Sequence, residues 1–421
     1  MGKTFVEKVL SLKSGKKNAV AGEIVTVSPD IVLSHDNTAA ISKKFEQIGI
    51  KFVKHPEKIV IPLDHCIPAA SEKYATNHKI IRKFVKANNI KNFYDINTGV
   101  CHQVLPEKGH VLPGSLVLGA DSHTTTYGAF GAFSAGIGRS EVASIWATDK
   151  IWLKVPETIK IEITGELPVG LYPKDIILYI IGKLGADGVL YKAVEFTGNI
   201  VEEMEISGRM TLCNMSVEMG AKNGYIEPDE KTIQWLSSRT NRKYEIIKSD
   251  PDAIYEKVIK FRVNKLEPQI ACPHTVDNVR PVSEVIGTKI DQALIGTCTN
   301  GRTDDLKIAA KILKGKKIAK ETRLLIFPAS MEVYQEAMEL GILLELVKSG
   351  AVIMNPGCGP CLGAHEGALA AGEVCLSTAN RNFKGRMGCN DAEVYLASPA
   401  TVAVSALCGE ITDVRRYLKW A

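Results

Sequence analysis

Short, mainly apolar runs of strand type fall at 58–63, 92–96 and 116–120, and a helical period is clearest between them at 71–88. A Gly-rich segment at 128–138 feeds a second helix predicted over 140–150. Apolar strands separated by helices mark α/β layers with a mainly parallel sheet. Strict alternation appears at 159–164, followed by helices predicted over 173–184, opened by Pro173, and over 207–220. The last third is the clearest, with strands at 292–295, 323–327, 351–354 and 374–378. Helices are predicted there over 303–313 and 331–349, and from Pro399 onward. Residues 266–285 contain Pro268, Pro273 and Pro281 and read as a linker. The expected division is three α/β units, 1–155, 156–285 and 286–421, with no internal repeat.

Composition narrows the class. The 421 residues are 45% hydrophobic and 24% charged, an ordinary soluble balance. No stretch nears the roughly eighteen apolar residues of a membrane span, and the N-terminus has no signal-type apolar region. A cytoplasmic protein is expected. The charge of +5 is spread along the chain, and its densest cluster, 314–320, has no interleaved aromatics. That reads as a solvated face, so a nucleic-acid partner is not expected. The ten cysteines show no disulfide framework.

Three of those cysteines stand out. Cys298 lies in Gly296-Thr-Cys-Thr-Asn-Gly301, and Cys358 and Cys361 in Gly357-Cys-Gly-Pro-Cys361. Cys298 and Cys358 each follow the C-terminal end of a predicted strand, where ligand sites of open parallel sheets lie. Structural zinc and most iron–sulfur clusters take four protein ligands, so three thiolates suggest a metal with one open position. From the residues alone, a zinc site with His365 as fourth ligand and a redox pair stay open.

Asp64-His65, Cys101-His102-Gln103 and Asp121-Ser-His123 each sit at a strand end or turn, and Asn214 and Glu218 share a helix face at i,i+4. A carboxylate beside an imidazole fixes its tautomer and raises its basicity, as proton transfer near neutral pH requires. Asn380-Arg-Asn-Phe-Lys-Gly-Arg386 places two guanidiniums and two amides after a strand, a chemistry suited to clamping carboxylates.

These motifs, with Gly119-Ala-Asp-Ser-His-Thr124 and Cys213-Asn-Met215, occur in the order of the aconitase superfamily. The chain most closely resembles the large subunits of its 3-isopropylmalate dehydratase and homoaconitase branch. The resemblance implies three α/β/α subdomains around one [4Fe-4S] cluster, held by Cys298, Cys358 and Cys361 with one iron open to substrate. It pairs Asp64 with His65, Asp121 with His102, and Glu218 with His123, and makes His65 the acid that protonates the departing hydroxyl. Asn214, Asn380, Arg381, Arg386 and Ser122 would bind substrate or steady the cluster, while Arg139 receives no role. The implied reaction is a reversible dehydration and rehydration of a hydroxy di- or tricarboxylic acid, in leucine biosynthesis for the dehydratases or 2-oxoacid elongation for the homoaconitases. Single-chain aconitases continue into a mobile domain carrying a serine base and a specificity loop. This chain is therefore expected to need a small subunit that supplies them. His35 stands where single-chain aconitases have Gln. An RNA-binding apo-protein and a zinc scaffold are the alternatives from other classes.

Overall fold

The computed structural model of the protein describes residues 2–363 and 365–418. Three sheets organise it. The first orders Asn92–Tyr94, Ile59–Pro62, Ile31–Leu33, Leu116–Gly119 and Phe133–Gly136, every neighbour parallel. Ile59–Pro62 and Leu116–Gly119 are buried at every position, as apolar runs must be when helices cover both faces of a sheet. A short antiparallel pair, Ile24–Val27 with Ile151–Lys154, lies beside this layer.

The second sheet orders Asn223–Ile226, Ala193–Thr197, Thr158–Thr164 and Lys257–Arg262, again all parallel. The third runs Val279–Pro281, Gln269–Ala271, Glu393–Leu396, Val374–Ser377, Gln292–Ile295, Arg323–Ile326 and Val352–Ile353. Its last five strands are mutually parallel and its first two antiparallel. One core joins the layers, with Val60, Ile161, Phe327 and Leu396 in the same buried cluster. Among the described residues no helix is long and apolar enough to cross a membrane.

The helices Pro173–Leu184 and Thr303–Leu313 form where the sequence pattern puts them. Three segments differ. The proline-rich stretch read as a linker supplies the edge strands Gln269–Ala271 and Val279–Pro281, because Ile270 and Ala271 are fully buried and Ala271 pairs with Leu396. The helix expected over 331–349 breaks into Met331–Glu339 and Ile342–Ser349 at Gly341, whose φ of 70° no right-handed helix accepts. The helix over 207–220 is α-helical across Ile206–Met215 and tightens to a 3-10 turn across Ser216–Met219, which carries Glu218.

The sheets meet at their loops. Val100 N–H donates to Ala329 C=O at 2.9 Å and Met331 N–H to Thr98 C=O at 2.8 Å, joining first to third. Thr211 Oγ1 donates to Thr299 C=O at 2.9 Å, joining second to third. The 3-10 helix Ser122–Phe130 packs so closely on Asn223–Ile226 that a Cβ on Gly128 would meet Gly224 O at 1.5 Å. Only glycine fits there, and the contact brings the 122–130 segment beside the helix that bears Asn214.

Candidate active site

All three cysteines leave the C-terminal edge of the third sheet. Cys298 follows Gln292–Ile295 and the pair follows Val352–Ile353. The Cys298 turn is strained, since β-branched Thr297 sits at φ 67°. Arg302 holds this turn from its buried side, donating to the carbonyls of Cys298 and Thr299, each at 2.8 Å, and through Nε to Gln103 Oε1 at 3.1 Å.

The thiols converge on one cavity, where two amides serve Cys298. Asn214 Nδ2 and Asn380 Nδ2 donate to its Sγ at 3.3 and 3.2 Å, and Asn380 Nδ2 also lies 3.2 Å from Asn214 Oδ1. Burial, with Cys361 and Asp121 beside it, pushes the Cys298 thiol up to about 12. Cys361 is held down to about 6 by a hydrogen bond from Cys358, against burial and with Arg386, His123 and Arg381 assisting. A fourth cysteine, Cys101, lines the same cavity. Burial and the Asp64 and Asp121 carboxylates hold its thiol well above the usual range. His365, the fourth ligand that the zinc reading needs, faces away and pairs its Nε2 with Pro68 C=O at 2.8 Å. The donor set is therefore three sulfurs supported by amide N–H groups and cations, which fits a three-thiolate iron–sulfur cluster better than a closed zinc site.

The first sheet contributes imidazoles and carboxylates from its own C-terminal edge. His65 Nδ1 is 2.6 Å from Asp64 Oδ1, and its Nε2 lies 3.8 Å from Asp121 Oδ2, beyond hydrogen-bond reach. Burial works against charge on His65, yet the Asp64, Asp121 and Asp36 carboxylates outweigh it and raise the imidazole to about 10. Asp121 caps the 122–130 turn, accepting His123 N–H at 2.8 Å, and meets His102 Nε2 at 2.7 Å. His102 has its other nitrogen 3.2 Å from Tyr127 Oη, so both ring nitrogens are engaged inside the protein. His123 Nε2 meets Glu218 Oε1 at 2.7 Å, and Arg381 Nε donates to both Glu218 oxygens at 2.8 and 3.0 Å.

Of the fourteen residues singled out from the sequence, twelve line this cavity, including Ser122 and Arg386. The other two, Asn214 and Glu218, stand just outside the lining, on Cys298 and on His123 with Arg381. Arg386 points a buried Nε that has no partner among the described residues, a donor held ready for an anion. Its neighbour Met387 sits at φ 56°.

Sequence reasoning passed over Asp36 and noted His35 without giving it a role. Asp36 Oδ2 accepts the N–H groups of Asp64 and His65, both at 2.9 Å, and its Oδ1 meets His78 Nε2 at 2.9 Å. The His35 ring stacks on His65 with centroids 3.9 Å apart and planes 16° apart. Asn37 donates its amide to His35 Nε2 at 2.8 Å, leaving the proton on Nδ1. His35, Asp36, Asp64 and His65 lie close enough to hold an ion. Their acceptors already take N–H groups, so the cluster is a hydrogen-bonded scaffold. The His-Asp pair at 35–36 carries the same signal as 64–65 and marks both residues in hindsight.

Residues 7–289 and 283–409 match the aconitase family (aconitate hydratase). The chain is 53% identical over 419 residues to the 3-isopropylmalate dehydratase large subunit 1 of Methanopyrus kandleri, covering 99% of this chain and 100% of that protein. It is also 53% identical over 388 residues to the probable methanogen homoaconitase large subunit of Methanosarcina mazei, covering 92% and 98%. Aconitase X from Thermococcus kodakaraensis superposes with a TM-score of 0.50 at 11% identity, over 85% of this chain and 84% of that one, a likeness of fold. With a family match along nearly the whole length and half its residues shared with full-length relatives, the chain belongs to the aconitase family.

Proposed function

We propose that the chain is the cluster-bearing large subunit of a 3-isopropylmalate dehydratase, interconverting 2- and 3-isopropylmalate in leucine biosynthesis. Full-length relatives so named at 47–53% identity support this, among them those of Methanopyrus kandleri and Heliobacterium modesticaldum. Cys298, Cys358 and Cys361 would hold a [4Fe-4S] cluster, which supplies a Lewis acid for the departing hydroxyl. The chain's own residues handle the proton and the carboxylates. His65, charged through neutral pH and free at Nε2, is placed to protonate the leaving oxygen, while Asp64 holds its other nitrogen. Arg386 offers its unpartnered Nε to a substrate carboxylate, and Ser122 adds a hydroxyl at the same wall. His102 keeps Asp121 oriented, and Glu218 keeps both His123 and Arg381 in place.

The observation that carries the reading is one cavity holding three convergent sulfurs, a charged imidazole and an unpartnered guanidinium. A small subunit would supply the base and the contacts to the substrate's variable group. Leu362 and Phe383, 52% and 42% exposed beside Cys361 and Arg381, support an apolar rim where such a partner closes. The division into three α/β units belongs to this reading, with the third reaching back to Gln269 through its edge strands.

Homoaconitase activity is the second reading, supported by relatives of that name at 53% and 48% identity. The test is anaerobic reconstitution, addition of the small subunit, and parallel assays with 3-isopropylmalate and homoaconitate. Turnover of isopropylmalate alone supports the first reading and homoaconitate alone the second. Stoichiometric zinc, or turnover of neither, would sink both.

A further inference from the structure

Lys174 is a buried lysine whose direct polar partners among the described residues are backbone carbonyls. It opens the helix Pro173–Leu184 and is 0% exposed. Its Nζ donates to the carbonyls of Thr378 at 3.0 Å and Ala379 at 2.7 Å. No salt bridge reaches it among the described residues. The adjacent Asp175 instead accepts the N–H groups of Tyr172 at 2.9 Å and Gln269 at 3.0 Å. An ammonium surrounded only by carbonyl dipoles in a dry interior is costly, so its retention calls for negative charge nearby.

Two such groups, Cys298 and Cys361, line the cavity described above, and Glu218 stands just outside its lining. Burial pushes Lys174 down to about 7, and the groups that resist this are Cys298 first, then Glu218, Cys361 and Asp305. The two carbonyls it holds are the last before Asn380 and Arg381. Asn380 donates to Cys298 Sγ, and Arg381 grips Glu218. One ammonium thus fixes the turn that delivers both side chains, and its charge acts on the nearby thiols through a medium that screens poorly.

We propose that Lys174 is a positioning residue and the buried counter-charge of the thiolate centre. The inference rests on the reading that Cys298, Cys358 and Cys361 hold an iron–sulfur cluster. A cluster on three thiolates carries net negative charge, and its reduction potential follows the charges and hydrogen bonds around it. A fixed cation stabilises the reduced form and helps retain iron.

The test compares the reconstituted wild-type chain with K174M and K174Q. K174M removes both charge and donor, whereas K174Q keeps an N–H donor without charge. Each is assayed for iron and sulfide content, for the cluster's midpoint potential, and for the rate of iron loss to a chelator. Both variants should show a more negative potential and faster iron loss while circular dichroism reports an intact fold. An unchanged potential in a folded variant would overturn the proposal, because a purely structural lysine leaves the potential alone. Failure of both variants to fold would also overturn it, in favour of a lysine needed only for folding. If the wild-type chain itself takes up no iron and sulfide, the cluster reading falls, and this inference with it.

Discussion

The backbone N–H of Cys358 donates to the carbonyl of Asp64 at 2.8 Å. That bond ties the loop carrying His65, from the first sheet, to the turn carrying two of the three thiols, from the third. Asp64 is the hub of the junction. Its Oδ1 meets His65 Nδ1, and its Oδ2 accepts Cys101 N–H at 2.8 Å. Three chain segments are thereby fixed relative to one residue before any substrate arrives, the preorganisation that proton transfer needs.

Because the Asp64–Cys358 bond uses only backbone atoms, side-chain loss at Cys361 should leave the fold alone. Cys361→Ser is expected to abolish cluster retention and activity while its apo form melts as the wild type does. Iron analysis and calorimetry check this, and a fully active variant would remove Cys361 from the ligand set.

His65 has one nitrogen on Asp64 and the other open to the cavity. His65→Ala should lower turnover by about a hundredfold or more, the usual contribution of a positioned acid. Iron content should stay at the wild-type level. A variant that turns over at the wild-type rate would mean another group delivers the proton.

Arg386→Lys keeps a positive charge and loses the planar fork. If Arg386 takes a substrate carboxylate, KM should rise by roughly ten- to a hundredfold, the range for a charged hydrogen bond. Steady-state kinetics with the small subunit present would read it, and an unchanged KM would move the carboxylate elsewhere.

Glu107, 7% exposed, accepts from Gln103 Nε2 at 2.7 Å and Ser330 Oγ at 2.8 Å, and its Oε2 has no partner among the described residues. Burial raises its carboxyl from 4.5 to about 7. The folded state therefore binds this proton more tightly than the unfolded chain does. Its contribution to stability is full below the unfolded value and lost as pH rises through the folded one. Glu107→Gln should flatten that fall and stabilise the protein by on the order of 2–3 kcal/mol at about pH 8. Urea denaturation across the window tests it, and an equal pH slope in both proteins would refute it.

Asp36→Ala would leave the N–H groups of Asp64 and His65 without their acceptor. The expected cost is on the order of 3 kcal/mol, the price of orphaned buried donors. A loss under about 1 kcal/mol by chemical denaturation would show that water or a shifted loop replaces the carboxylate.

The strand-end position of each motif was legible because buried parallel strands are unbroken apolar runs and their ends are marked by Gly, Asp and His. Convergence was not, since spacing along a chain carries no distance between sheets. The edge strand Gln269–Ala271 was hidden by its prolines, which an edge tolerates and a central strand does not. Arg302 and Lys174 carried no motif of their own. Both act through backbone carbonyls, contacts that only folded coordinates reveal.

Every sulfur donor leaves the seven-stranded sheet and every imidazole leaves the five-stranded one. A nascent chain whose first sheet alone has formed owns the acids but nothing for them to act beside. One whose last sheet alone has formed owns the thiols without the acids. The two sets of groups meet only when the two edges close on each other, so the site belongs to the junction and to neither sheet by itself.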